Sequence, residues 1–362
     1  MISPRGQASC ATPWQAAGST TRATRTGRAK VQAATTQRAA QSASSRKDGA
    51  ELHPRVSVIL PTYNRTRTLG DAMASVLGQS FTDLELIVVD DGSTENVQAV
   101  VSEQDDGRVR YVRRLLNEGA AAARNTGIAL ARGAFVAFQD SDDLWLPGKL
   151  ARQVERLDSL PGEVGAITGP KILVGRNERF VYGEGLVCLA PAAETPLCLE
   201  EDQVGHLLRE NRISVQCSLF RREALGDGPY FDRRARANED WEFAIRLAQR
   251  TKIVEDREPV LLGFVSDDSI SRSRRRETLG VLRILKANEQ LLSFYPRQRS
   301  ALWLEVGRQL AESGKPRLAN RAILRALRAD PEVALGVARA VLRRVAGPLR
   351  RARNRPFGHR SA

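Results

Sequence analysis

The chain has 362 residues, 42% of them hydrophobic, and a formal net charge of +14, enough for one large domain or two ordinary ones with a full core. The charge is uneven: residues 1–47 hold eight Lys/Arg and no acid, 315–362 hold thirteen against Asp330 and Glu332, and 48–314 stand at −5. A mildly acidic middle excludes a nucleic-acid binder built on a basic face, and no window is long and apolar enough for a membrane helix.

Four cysteines, Cys10, Cys188, Cys198 and Cys217, lack C-x-x-C spacing, so neither a disulfide framework nor a zinc site is expected, and a reducing compartment is. Residues 1–52 have no hydrophobic period and read as a disordered basic extension, a transit segment, or a start placed too far upstream. From Arg55, RVSVIL predicts a strand ending at Pro61, and Leu69, Met73, Val76 and Leu77 then recur at helical spacing. LELIVV (84–89) predicts a strand buried on both faces, followed by the turn Asp90-Asp91-Gly92-Ser93. Val97, Val100 and Val101 mark a helix, 109–112 a third strand, 120–130 a helix and 134–138 a fourth strand.

Such alternation implies an α/β fold with a mostly parallel sheet and helices on its faces. Ligands bind beyond the carboxyl ends of strands in such sheets. Thr62-Tyr63-Asn64-Arg65, Asp90-Asp91-Gly92-Ser93 and Asp140-Ser141-Asp142 occupy those ends and should meet in one crevice.

Further on, Leu150, Val154 and Leu157 predict a helix starting near Pro147, and strands are expected at 166–174 and 213–220. A short helix is expected near 204–208, then one carrying Trp241, Ala244, Ile245 and Ala248 with Asn238 as N-cap, and a last strand at 260–265. From Glu277 the pattern is helical: Leu279, Leu282 and Leu285, then Leu302, Val306 and Leu310, then Ala319, Ala322, Ile323, Ala326 and Leu327. Breaks fall at Pro296, at 314–316 and at Asp330-Pro331. The expected organisation is a basic extension (1–52), an α/β domain (53–275), a helical region (276–345) and a basic tail (346–362). The tail interleaves arginines with Leu349 and Phe357 and reads as a solvated tail or as a contact to an anionic membrane surface.

The stretch AFVAFQDSDDLW (134–145) puts three carboxylates directly after a strand. Their mutual repulsion needs an offset, which a hard divalent cation supplies through oxygen ligands. An acidic turn entering the following helix is the alternative, and Asp143 suits that role at least as well as one near the site.

VSVILPTYNR (56–65), SVLGQSFTDLELIVVDDGST (75–94), NEGAAAARNTGIALARGAFVAFQDSDDLWLPGKL (117–150) and NEDWEFAIRLA (238–248) together resemble the family 2 glycosyltransferases with the GT-A-type fold. The resemblance covers roughly 55–271 and implies an inverting, metal-dependent transferase using a nucleotide-diphosphate sugar, with UDP the expected nucleotide. It implies nucleotide contacts from Pro61, Tyr63, Asn64, Arg65, Asp91, Arg124, Asn125 and Asp140, and a Mn²⁺ or Mg²⁺ ligand in Asp142. Asp240 matches the family's catalytic base, with Glu239 and Trp241 beside it. A glycan or lipid-linked acceptor, cell-surface polysaccharide assembly, and a cytoplasmic place, peripheral at the inner membrane face, follow as expectations.

One departure stands out: where the family often carries Arg-x-His near the last strand, this chain has Phe264 and Ser266, leaving Arg272 or Arg274 as substitutes. That departure keeps a non-catalytic nucleotide-sugar-binding scaffold open as the alternative. A sugar-nucleotide nucleotidyltransferase would carry a Gly-rich phosphate loop where this chain reads PTYNR.

Overall fold

The computed structural model describes residues 53–175, 187–191, 196–228, 230–235, 237–264 and 274–333, with Arg274 described in its backbone alone. The basic extension, the basic tail, Ser266 and Arg272 lie outside the described residues. Chain order begins β1 (Val56–Thr62), α1 (Thr66–Leu77), β2 (Leu84–Asp90), α2 (Val97–Ser102), β3 (Val109–Arg113), α3 (Ala120–Leu130) and β4 (Phe135–Phe138). It continues through β5 (Leu144–Trp145), α4 (Lys149–Ser159), β6 (Val164–Thr168), β7 (Lys171–Val174) and β8 (Val187–Ala190). Then come α5 (Gln203–Leu207), β9 (Leu219–Arg221), α6 (Arg222–Leu225), α7 (Glu239–Ala248), β10 (Lys252–Glu255) and β11 (Leu261–Phe264). Three helices close the described chain: α8 (Arg274–Ala287), α9 (Pro296–Glu312) and α10 (Pro316–Ala329).

The seven-stranded sheet runs β10-β6-β9-β4-β1-β2-β3, and only β9 is antiparallel to its neighbours. Every residue of β1 and β2 is buried, the pattern of central parallel strands covered on both faces. A four-stranded sheet, β5-β11-β7-β8, stands beside it. Leu69, Ala72, Met73 and Val76 pack α1 onto one face, while Ala121, Ala123 and Ile128 of α3 join the core on the other. Among the described residues no helix is long and apolar enough to cross a membrane.

Several sequence expectations are corrected. β1 continues through Pro61 to Thr62, because β4 pairs with β1 only as far as Ile59, so the missing proline N–H leaves no ladder bond unmade. The expected strand at 166–174 is two strands in different sheets, divided at Gly169-Pro170. The expected strand at 213–220 is a 3₁₀ turn at Val215–Cys217 followed by β9. α4 starts at Lys149, after Gly148 in the left-handed region at φ 75°, two residues beyond Pro147.

Asn238 precedes α7 but at φ 60° its side chain makes no capping bond. In α8, Leu285 is buried as expected and Leu282 packs against the core, but Leu279 is exposed and Thr278, Gly280, Val281 and Ile284 are buried in its place. Pro296 and Pro316 do not merely break helices; each is a first helical residue, where its fixed φ fits and its absent N–H costs nothing.

Candidate active site

Because β4, β1 and β2 lie side by side and parallel, their carboxyl ends open onto one edge. The three loops there are tied to one another. Asn64, at φ 50°, donates its backbone N–H to Ser93 Oγ at 3.0 Å and accepts with Oδ1 from Thr94 N–H at 2.9 Å, locking the β1 loop to the β2 turn. Arg65 pairs with Asp142 at 3.5 Å, and Thr68 Oγ1, in the first turn of α1, donates to the Ser141 carbonyl at 2.7 Å, locking the same loop and the start of α1 to the β4 loop. Tyr63 stands free at the rim with 43% exposure, whereas Pro61 is buried within β1.

Asp91 is buried. Its Oδ2 accepts from Gly119 N–H at 2.6 Å, where the chain enters α3, and its Oδ1 accepts from the Arg114 guanidinium. Gly92 needs its φ of 76°, since a Cβ there would meet the Leu116 carbonyl carbon at 2.9 Å.

Arg124 joins the two halves of the crevice. From α3 it donates Nη2–H to Asp140 Oδ1 at 2.7 Å and Nη1–H to Glu239 Oε1 at 3.0 Å, with its side chain 7% exposed. Burial works against its charge, but Asp140, Glu239 and Asp240 hold the guanidinium firmly protonated. Beneath it lies an aromatic cluster: the Arg124 guanidinium sits 5.7 Å from the Phe231 ring centre, and Phe231 packs on Phe138 and Phe243.

Asp240 opens the first turn of α7 and accepts from Trp241 N–H at 2.8 Å and, weakly, from Asn211 Nδ2 at 3.5 Å. Burial and the adjacent Glu239 push its pKa up to about 6, against the pull of Lys171 and Arg124.

Two of the sequence-selected residues, Asn125 and Trp241, face elsewhere, and a third, Asp143, has another role than the one expected. Asn125 exchanges both amide bonds with the backbone of Phe231, at 2.8 and 2.9 Å, and so fixes the aromatic cluster. Trp241 donates its ring N–H to the Leu207 carbonyl at 2.6 Å and packs against the core. Asp143 does not cap a helix: Gln216 Nε2 and the Phe264 backbone N–H donate to its two oxygens, and burial followed by Asp140 lifts its pKa to about 7. In the family's Arg-x-His stretch, Phe264 is 43% exposed.

Residues that the sequence reading passed over are Arg114, Phe231, Asn211 and Lys171. Each contributes through a partner distant in sequence, so no local spacing marks it. Among the described residues no group of three or more His, Cys, Asp or Glu gathers in metal-ligating geometry.

Residues 57–227 match the family described as Glycosyl transferase family 2. They form a family 2 glycosyltransferase domain. Among curated relatives of this chain is the Escherichia coli UDP-Glc:alpha-D-GlcNAc-diphosphoundecaprenol beta-1,3-glucosyltransferase WfgD, 41% identical over 34% of this chain and 47% of its own. The succinoglycan biosynthesis protein ExoO of Rhizobium meliloti (strain 1021) is 28% identical over 67% of this chain and 69% of its own. The match thus spans about half the length of the first of these and two thirds of the second.

Two solved structures share the fold. The mannosyltransferase PcManGT from Pyrobaculum calidifontis in complex with GDP-Man and Mn²⁺ matches at TM-score 0.51 and 22% identity, over 80% of this chain and 81% of that one. S. aureus TarS 1-349 in complex with UDP-GlcNAc matches at 0.52 and 17%, over 78% and 92%. At these identities the likeness concerns fold.

Proposed function

We propose that this protein is a metal-dependent inverting glycosyltransferase that moves a sugar from a nucleotide-diphosphate donor, a UDP-sugar, to a hydroxyl of a glycan or lipid-linked acceptor in cell-surface polysaccharide assembly. The observation that carries the reading is Arg124, which ties Asp140 beyond β4 to Glu239 beside Asp240. One guanidinium thereby brings the donor-side acids and the candidate base to the same crevice, although 100 residues separate Asp140 from Asp240.

In this reading the exposed Tyr63 ring stacks on the base, and the Asn64 and Asp91 turn holds the nucleoside. Asp240 takes the proton of the acceptor hydroxyl as its oxygen bonds to the anomeric carbon. The bond from that carbon to the diphosphate oxygen breaks, and its electron pair leaves on the diphosphate.

The residues fit a divalent cation. Asp140, Asp142, Asp143, Glu239 and Asp240 face Arg65, Arg124 and Lys171, so with all five acids ionised two negative charges are left over. The available donors are oxygens, and Asp142 alone would hold the ion, with the donor's phosphates completing its shell. Such an ion supplies Lewis-acid stabilisation of the departing diphosphate.

The test is a donor screen on the full chain with released UDP as readout, run with wild type and Asp142→Asn. The variant is expected to lose Mn²⁺-dependent turnover by about 100-fold or more. Unchanged turnover and Mn²⁺ dependence would remove the metal assignment, and UDP·Mn²⁺ binding without consumption of any donor would favour the scaffold reading.

A further inference from the structure

The last two described helices treat charge differently. On α9, Arg308 pairs with Glu305 and Glu312, and Arg297 pairs with Glu332 just beyond α10. Both signs are present, as on an ordinary water-exposed helix. α10 carries Arg317, Arg321, Arg325 and Arg328 after Lys315 and has no acid at all. Among the described residues Arg317, Arg321 and Arg328 pair with no carboxylate. Asp330, the next acid, is buried and accepts from Glu332 N–H at 2.9 Å.

The register turns these arginines outward. Ala319, Ala322 and Ala326 are the buried side of α10. They lie against α9, where Ser300 Oγ donates to the Ala326 carbonyl at 3.0 Å and a Cβ on Gly307 would lie 3.0 Å from Ile323 Cγ1. At about 100° per residue, Arg317, Arg321, Leu324 and Arg328 fall within about 60° of one another on the opposite side, a stripe about 16 Å long. Leu318 and Arg325 flank it, and all four arginines are exposed. Leu318 is 46% and Leu324 53% exposed, and the Arg325 guanidinium lies 4.6 Å from the Trp303 ring centre. Arginines four apart on one helix face repel each other. Residues 333–362 offer no offset, because they hold eight arginines and no acid.

We propose that the outer face of α10 is a docking surface for an anionic phospholipid bilayer, with Arg317, Arg321, Arg325 and Arg328 on headgroup phosphates and Leu318 and Leu324 in the acyl boundary. Basic residues interleaved with exposed leucines are what a helix lying in a membrane interface presents. A nucleic acid would engage the arginines through its phosphates and leave the leucines in water, so the bilayer is the partner that uses the whole face. The helical pair is fastened to the α/β body. At the start of α9, Tyr295 Oη donates to Asp202 Oδ1 at 3.1 Å and Gln298 Nε2 to the Gly205 carbonyl at 3.4 Å. A docked α10 therefore holds that body at the membrane surface. On the transferase reading, a lipid-linked acceptor would be met there; the docking itself does not depend on that reading and is tested without turnover.

The test is co-sedimentation of the full chain with vesicles of phosphatidylcholine alone or with about 30% phosphatidylglycerol, at about 0.1 M salt. Wild type is expected to partition onto the anionic vesicles about tenfold better or more, and less so as salt rises. Arg317→Gln, Arg321→Gln and Arg328→Gln combined are expected to lower that partition by about 100-fold, each basic residue near such a surface contributing roughly fivefold. Arg321→Gln alone, with an expected loss of about fivefold, decides the matter should the triple variant fail to fold. Leu318→Ser with Leu324→Ser is expected to lower the partition by about tenfold. Equal partition onto both vesicles overturns the proposal. So does an unaltered partition in the folded arginine variant, as when the basic tail alone makes the contact, or in the folded leucine variant. Arginine-dependent capture of a single-stranded RNA without vesicle binding overturns it in favour of a nucleic-acid partner.

Discussion

Arg124 is the residue on which the crevice depends. Replacing it with Met leaves Asp140 and Glu239 as uncompensated carboxylates, and breaking a buried pair from one side costs roughly 3–5 kcal/mol. Asp140 keeps 25% side-chain exposure, which places the expected loss near the lower end, about 3 kcal/mol, to be read from the midpoint of urea unfolding. Asp240 gives a pH prediction of definite sign. Its folded pKa, about 6, lies above the unfolded value, so the native state holds the proton more tightly, and this group's contribution falls as pH rises from about 4 through 6. Its function runs the other way, because a base must be ionised: turnover should climb through about pH 6. Asp240→Asn is therefore expected to raise the thermal midpoint at neutral pH while cutting turnover by about 100-fold or more with donor affinity kept. Asp91, Asp140, Asp142 and Asp240 were all visible to sequence reasoning as acids after strands or at a helix start. The pairing of these acids with Arg124 was not, since Arg124 and Glu239, for example, are 115 positions apart.

At the scale of elements, the alternation of strand and helix up to β4 was readable because central parallel strands are continuous apolar runs and their helices carry a 3.6-residue period. Beyond β4 the elements are short, and β5, β8 and β10, of two to four residues, went unread. One contact shows how closely the readable part is packed. A Cβ on Gly127 of α3 would lie 2.3 Å from Ile59 Cγ2 of β1, a β-branched side chain with little freedom to move. Gly127→Ala should therefore push α3 off β1 despite its better helix propensity, costing about 1–2 kcal/mol in chemical unfolding. Because Arg124 lies one turn earlier on α3, the same variant is expected to lower kcat/KM as well as stability.

For the whole molecule, the site is the meeting of two sheets with α3 and α7, and a ligand that bridges them should stabilise the native state by linkage. UDP with Mn²⁺ at about 100 times its dissociation constant would add about 2.7 kcal/mol, a rise on the order of 5 °C in the thermal midpoint. EDTA is expected to abolish most of that rise in a thermal-shift scan, and UDP alone to give little.

The sequence by itself determined the α/β class, the strand ends that carry polar residues, and the family, because apolar period and local motif chemistry are properties of contiguous residues. Only the tertiary structure decided which acids share a cation. Ion pairing depends on distances between loops, and the strand order β4-β1-β2, the Arg124 bridge and the face of β7 that carries Lys171 arise from pairings no local pattern encodes. For that reason Asp143, read as a helix-entry acid or a residue near the site, sits between Gln216 and Phe264 N–H, and Lys171, read as part of one long strand, opens β7 in a second sheet.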